Sequence, residues 1–273
     1  MNSYFYKFCL PLYVITAGVI VGAILNVITI NWWIVGITWF FVGLIGNGLG
    51  CHRLFSHRQF ETWRPVEIAI AFLGTYAAYA PILFWAGTHQ LHHKVTDTDK
   101  DLSSPHHHGF IDSFFLYRLR ERALKAVDLR NYCVKRILKD KTLMWFTLKF
   151  NTIVWSIIGF WVVVDIFGPY NFSLLASAFA IPVIIEHMRM NVINSFTHMD
   201  VPGSYRIFDT PDNTSNHVLI GLLTFGSGWH NAHHNDAREL VNTHKWWELD
   251  IEGLLGVLLS KDFWKKKEES VTG

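Results

Sequence analysis

Apolar residues run almost unbroken through residues 8–30, 32–50, 144–167 and 172–192. Each run approaches the roughly 20 residues, at about 1.5 Å apiece, that carry a helix across a hydrocarbon core about 30 Å thick. Four transmembrane helices are therefore predicted. Asn31 alone separates the first two runs, and Gly168-Pro169-Tyr170-Asn171 turns the chain between the last two, which pairs them into two hairpins. A fifth stretch, 66–86, is apolar enough to cross. It lies, however, between His52 and His57 on one side and His89, His92 and His93 on the other. A single crossing would put a membrane between those histidines. If they share one site, the stretch lies in the interface or returns to the side it left, which its Gly74, Pro81 and tyrosines permit.

Charge sets the orientation. The segment between the hairpins carries Arg118, Arg120, Arg122, Lys125, Arg130, Lys135, Arg136, Lys139 and Lys141, whereas the hairpin turns carry no Lys or Arg. Basic residues in short loops stay on the cytoplasmic side. Both termini are expected there, with residues 51–143 and 193–273 forming a cytoplasmic helical cap. The whole chain, 1–273, then reads as one all-α, multi-pass integral-membrane domain. Lys265-Lys266-Lys267-Glu268-Glu269 is expected to be a solvated tail beside the lipid headgroups. Composition agrees: 51% of the 273 residues are hydrophobic. A net charge of +2 without a basic stripe among aromatics argues against nucleic acid as a partner. Cys9, Cys51 and Cys133 are odd in number and lack Cys-x-x-Cys spacing, so they suggest neither a disulfide framework nor a zinc ribbon.

The chemistry lies in the histidines, of which there are 15. They cluster as His52 with His57, as His89, His92 and His93, and as His230, His233 and His234. Positions i, i+3 and i+4 share a helix face, so the second and third clusters are each expected to form a tridentate patch. The first pair stands at i, i+5, about 140° apart on an α-helix. Asn194 and His198 add an i, i+4 pair where the fourth run ends. Nine imidazoles on one side of the membrane exceed what one ion holds, so two metal ions are implied. Imidazole suits zinc, copper, nickel and iron alike, and ligand type does not choose among them. A histidine-rich metal transporter is the alternative outside enzymology. It is disfavoured because a transporter places its ligands at mid-bilayer along a path, and these clusters fall at the ends of the runs.

The stretches GLGCHRLFSHRQFE, HQLHHKVTDTDKD, NSFTH, LTFGSGWHNAHH and HKWWELD resemble, in content and order, the membrane-bound fatty acyl desaturases of the Δ9 type. The resemblance covers nearly the whole chain after the first run. It implies a mushroom-shaped helical fold whose cap holds two irons. It also implies His52, His57, His89, His92, His93, His198, His230, His233 and His234 as direct ligands, with Asn194 as a ligand through water. Enzymes of this kind use two Fe2+ ions and dioxygen as co-substrate to take hydrogen from adjacent methylenes, leaving a cis double bond and releasing water. A fatty acyl thioester of coenzyme A or acyl carrier protein, or an acyl lipid, would be the substrate. A hydroxylase, an acetylenase or a terminal desaturase using the same ligands is the alternative. No cytochrome b5 domain is visible, so electrons are expected from a separate donor such as ferredoxin or cytochrome b5.

Further candidates surround these ligands. Trp85 and Trp229 neighbour the clusters and are candidates for the wall of an acyl tunnel, with core or interfacial packing as the alternative. Asp97, Asp99, Asp101 and Asp209 are candidates to accept the second ring N–H of the ligands, with loop solvation the expectation for at least half of them. A calcium loop starting at Asp97 is excluded, because Leu102 and His108 stand where Gly and Glu are required. Glu186, His187 and Arg189 near the end of the fourth run either serve function or snorkel to water. The chain departs from the family's pattern at His106-His107-His108, where arginines are usual in coenzyme A-dependent members; this triplet reads as a solvated loop. It departs also at Ser227, where Glu is common, and at Asn235-Asp236, where Phe-Pro is usual.

Overall fold

Asn31 starts the longest helix: its side-chain oxygen accepts hydrogen bonds from the backbone N–H groups of Trp33 (3.1 Å) and Ile34 (3.2 Å), two of the donors a helix start leaves unsatisfied. The computed structural model describes residues 10–116 and 131–272. Phe8, Cys9 and the basic residues Arg118, Arg120, Arg122, Lys125 and Arg130 therefore lie outside the described residues. The architecture is mostly helical. Helix α1 spans Leu10–Ile24, α2 Trp32–His57, α3 Arg64–Tyr76, α4 Ile82–Val95, α5 Tyr132–Lys139, α6 Phe150–Phe167, α7 Ser173–Phe196, α8 His230–Asn235 and α9 Ile251–Leu259. Shorter helices and turns lie between them. A two-residue antiparallel ladder joins Ser204 and Tyr205 to His217 and Asn216.

Among the described residues three helices, α2, α6 and α7, are long and apolar enough to cross a membrane. Within the described residues α1 has 15 residues and falls short of that length. Even so, its Leu12 and Val19 pack in one core with Phe150, Val154 and Ile158 of α6 and Phe179 and Val183 of α7. Trp33 and Phe167 are 84% and 86% exposed, and Val14, Ile37, Phe160 and Val163 are also exposed. An apolar outer surface of this kind is suited to lipid.

Two boundaries differ from the sequence expectation. Helix α2 runs on past Gly50 to His57, because its second part, Phe40–His57, is wound as a π-helix. The run 144–167 breaks at Lys149, between a helix at Lys141–Leu148 and α6. The ambiguous stretch 66–86 is two helices. The chain turns between Tyr76 and Ile82 with Ala78 at φ +52°. It leaves from beside His57 and returns to it, for the ring Nε2 atoms of His57 and His89 are 2.8 Å apart. Helix α3 begins with Pro65 in its first turn, where no N–H is missed.

Close contacts lock these helices. Pro182 has no N–H for the Ala178 carbonyl, and the Tyr76 hydroxyl donates to that oxygen instead (2.7 Å). Trp161 Nε1–H donates to the same hydroxyl (2.7 Å), tying α3, α6 and α7 at one point. Gly46 of α2 crosses α3 so closely that a Cβ would lie 2.4 Å from the Leu73 carbonyl carbon and 2.6 Å from Gly74 N. Both obstacles are backbone and cannot rotate away. Gly46→Val is therefore expected to destabilise the fold by about 1–3 kcal/mol or more. A lowered thermal aggregation midpoint in detergent would register it, and an unchanged midpoint would show that the crossing can open.

Glu186 and Arg189 do not snorkel, since both are buried. Arg189 donates to both carboxylate oxygens of Glu186 (2.9 Å each) and to Glu252 Oε1 (2.7 Å). Asn47 and Trp39 donate to Glu186, and Ser227 donates to Glu252 (2.7 Å). Arg53 holds both oxygens of Asp250 at 2.8 and 3.0 Å. Asp250 also accepts from Gly253 N and so caps α9. Buried charges persist when paired and fully bonded, and here the network fastens α9 to α2 and α7. His187 donates from Nε2 to the Ala77 carbonyl (3.1 Å), bracing the turn between α3 and α4.

Candidate metal centre

His52 and His57 come from the π-helical end of α2. Hydrogen bonding from i to i+5 widens each turn, so residues five apart swing onto one side instead of standing about 140° apart. Their ring centroids are 5.0 Å apart. From α4, His89 Nε2 approaches His57 Nε2 at 2.8 Å, and His93 Nε2 lies 3.2 Å from His89 Nε2. From α8, His233 Nε2 lies 3.1 Å from His93 Nε2 and 2.9 Å from His52 Nε2. Ligand atoms of His52, His57, His89 and His233 fall within 4.8 Å of one another, and His93 adjoins them.

His92, His198, His230 and His234 form a second such group, also within 4.8 Å. His198 follows the end of α7, and its Nε2 is 3.1 Å from that of His230. The two groups touch, since the rings of His93 and His234 stack with centroids 4.2 Å apart.

Each His-x-x-His-His motif is thus divided between the groups and does not act as one tridentate patch. The reason is angular. At about 100° per residue, positions i and i+4 lie about 40° apart, whereas i+3 and i+4 lie about 100° apart. His89 and His93 therefore serve the first group, and His92 turns to the second. In α8 the roles exchange, with His230 and His234 in the second group and His233 in the first.

The opposite ring nitrogens of three members of the second group, His92, His198 and His234, are held by carboxylates. Asp101 accepts from His92 Nδ1 (3.0 Å), Asp97 from His198 Nδ1 (3.2 Å) and Asp212 from His234 Nδ1 (3.0 Å). With its proton fixed on Nδ1, each ring turns the Nε2 lone pair inward. Asp99 and Asp209 are exposed at the surface. Asp212 was not legible in the sequence, because it reaches His234 from a loop that has no periodicity. It is itself fixed by the hydroxyls of Thr210 and Thr214.

These residues fit metal ions. Nitrogens bound to one ion at about 2.1 Å and at right angles stand about 3.0 Å apart, and the Nε2 contacts in the groups run from 2.8 to 3.2 Å. His92 Nε2 and His234 Nε2 are buried and have no hydrogen-bond partner among the described residues, and an ion would supply one. Burial lowers the pKa of His89, His93, His230, His233 and His234 well below the ordinary imidazole value, and neighbouring histidines lower it further. They stay neutral, as ligands must. Burial opposes charge on His92 too, but the Asp101 carboxylate outweighs it and raises that pKa. Burial works against an ionised Asp101, yet His92 and backbone N–H groups hold its pKa far below the usual carboxylate range.

Asn194 is half-buried on α7, one turn before His198. Trp85 is buried with its ring centroid 4.9 Å from that of His89 and 5.8 Å from that of His52. Trp229 is fully buried. Its indole packs where a Cβ on Gly221 would sit, and its N–H donates to the Leu249 carbonyl (3.1 Å).

Residues 30–251 match the sequence model of the fatty acid desaturase family. The chain belongs to this family. It is 30% identical to the sn-1 stearoyl-lipid 9-desaturase of Anabaena variabilis, over 89% of this chain and 87% of that protein. It is 32% identical to Delta-9 acyl-lipid desaturase 1 of Arabidopsis thaliana, over 77% of this chain and 66% of the relative. It is 27% identical to the hex-5-enoyl-acyl-carrier-protein acetylenase of Moorena producens, over 77% of this chain and 68% of the relative. The protein is a fatty acyl desaturase, a membrane-associated oxidoreductase whose histidine groups suit a metal-using reaction.

Proposed function

We propose that this desaturase introduces a cis double bond into a saturated acyl chain at a di-iron centre held by the two histidine groups. The pair of groups, touching through His93 and His234, is the observation that carries the proposal. His52, His57, His89, His93 and His233 would hold one ion, and His92, His198, His230 and His234 the other, with Asn194 adding a ligand through water. Bound there, iron would supply activation of dioxygen, in which two electrons, two protons and the two hydrogens of adjacent methylenes leave as two waters. The protein supplies position. Asp97, Asp101 and Asp212 orient rings, and buried Trp85 forms a wall that sets which carbons of a featureless alkyl chain reach the site.

An acyl chain on a membrane lipid is the favoured substrate, because the Anabaena variabilis and Arabidopsis thaliana relatives, at 30% and 32% identity, are acyl-lipid desaturases. An acetylenase acting on a carrier-protein chain is the second reading, supported by the Moorena producens relative. Electrons would come from a ferredoxin or a cytochrome b5. The membrane arrangement proposed is four spans in two hairpins, with α1 in the first span. The stretch 66–86 stays on the cap's side, and the cap and both termini are cytoplasmic, in line with the basic loop between the hairpins.

Expression in a host without desaturases, followed by mass spectrometry of lipid and thioester pools, tests the reading. The expected result is a glycerolipid acyl chain lighter by two hydrogens. A product that gained oxygen would reject desaturation, and a change confined to carrier-protein thioesters would reject the lipid substrate.

A further inference from the structure

The triplet His106-His107-His108 was expected to be a solvated loop. His106 and His107 are exposed, yet none of the three rings is idle. Pro105 starts a single helical turn, Pro105–His108, and Gly109 at φ +79° stops it. Three consecutive residues on one turn fan out at about 100° each. Nevertheless every Nε2–H finds a backbone carbonyl: His106 donates to His198 O (2.6 Å), His107 to Asp97 O (2.9 Å) and His108 to Asp101 O (2.9 Å).

The acceptors are the residues that build the second histidine group. Asp97 and Asp101 carry the carboxylates on the rings of His198 and His92. The triplet thus grips the backbone of two of the three orienting carboxylates, Asp97 and Asp101, and of one ring they orient. Asp97 needs such a grip, because its φ of +55° is a backbone state that residues other than glycine adopt at a cost. Ser104 Oγ donates to Asp97 Oδ1 (3.1 Å) and Asp97 N to Asp101 Oδ2 (3.0 Å), so the short loop is a closed lattice with the triplet as its outer wall. None of the three hydrogen bonds goes to His52, His57, His89, His93 or His233.

We propose that His106, His107 and His108 are positioning residues for the His92, His198, His230 and His234 metal site, setting how firmly that site holds its ion while leaving the other unaffected. This rests on the di-iron reading above. An imidazole suits the task, because a stiff ring with two side-chain torsions delivers one N–H donor at small entropic cost.

The test uses the full-length protein, purified in detergent and loaded with ferrous iron, and follows iron per chain during a chelator challenge. Wild type should lose its two ions slowly. The triple alanine variant should lose one ion about tenfold faster and the second at the wild-type rate, in line with the affinity cost of disturbing groups that orient ligands. The triple glutamine variant, whose amide Nε2–H is a donor of similar reach, should recover slow loss. Thermal midpoints of the metal-free proteins should agree. Equal loss rates in wild type and the alanine variant would overturn the proposal. So would equal acceleration at both sites, or a glutamine variant no better than alanine. A wild-type protein that takes up no iron would instead refute the di-iron reading, and this inference with it.

Discussion

His233→Ala is expected to reduce product formation to background and to leave the first metal site unable to hold its ion. His233 Nε2 lies 2.9 Å from His52 Nε2 and 3.1 Å from His93 Nε2, so it closes the ring of donors contributed by α2 and α4. Its side chain is buried, and no neighbouring group within the site replaces it. Insertion into the membrane should be unchanged, because it depends on the apolar helices and His233 lies on none of them. Metal analysis should show a loss approaching one ion per chain. His244→Ala is the control, since that exposed histidine pairs with Glu239 outside both groups. It should retain activity near wild type. Turnover in His233→Ala comparable to wild type would remove this residue from the ligand set.

How the nine histidines assemble also shows what a sequence discloses. Their identity and the need for one compartment were legible, because i, i+3 and i+4 spacing is local and helices are regular. The same requirement led to the expectation that 66–86 lies in the interface or returns to the side it left, and the structure has two helices there with a turn at Ala78. The division of each motif was not legible. A shared helix face tolerates a fan of about 100°, and only the position of the opposing helix decides where one ion ends and the next begins. Nor does the sequence mark that α2 winds as a π-helix, a change that moves His57 beside His52. The orienting carboxylates were half legible. Asp97 and Asp101 follow a ligand helix closely, whereas Asp212 arrives from a distant loop. The hydrogen bonds of the triplet at 106–108 were not legible, because its partners are carbonyl oxygens, which every residue has.

Asp101→Asn should weaken metal retention at the second site by about 10- to 100-fold at neutral pH, with turnover falling alongside. The carboxylate accepts from His92 Nδ1 and so leaves Nε2 free as a donor to metal. An amide can present its own N–H to Nδ1, which would place the ring proton on Nε2 and block the ligand. The pH dependence moves the other way. In wild type, Asp101 raises the pKa of His92, while burial lowers those of His89, His93, His230, His233 and His234. A proton competes with metal for Nε2. As pH falls, His92 therefore takes a proton before those buried ligands, and the second site empties before the first. Removing the negative charge lowers the pKa of His92, so in metal-free Asp101→Asn that ring should take its proton at lower pH than in the metal-free wild type. Metal content across a pH series reports the order in which the wild-type sites empty, and NMR of the imidazole in the metal-free proteins reports the shift. If the two wild-type sites empty together, or if His92 of the variant titrates at higher pH than in wild type, Asp101 does not control His92 in the manner described.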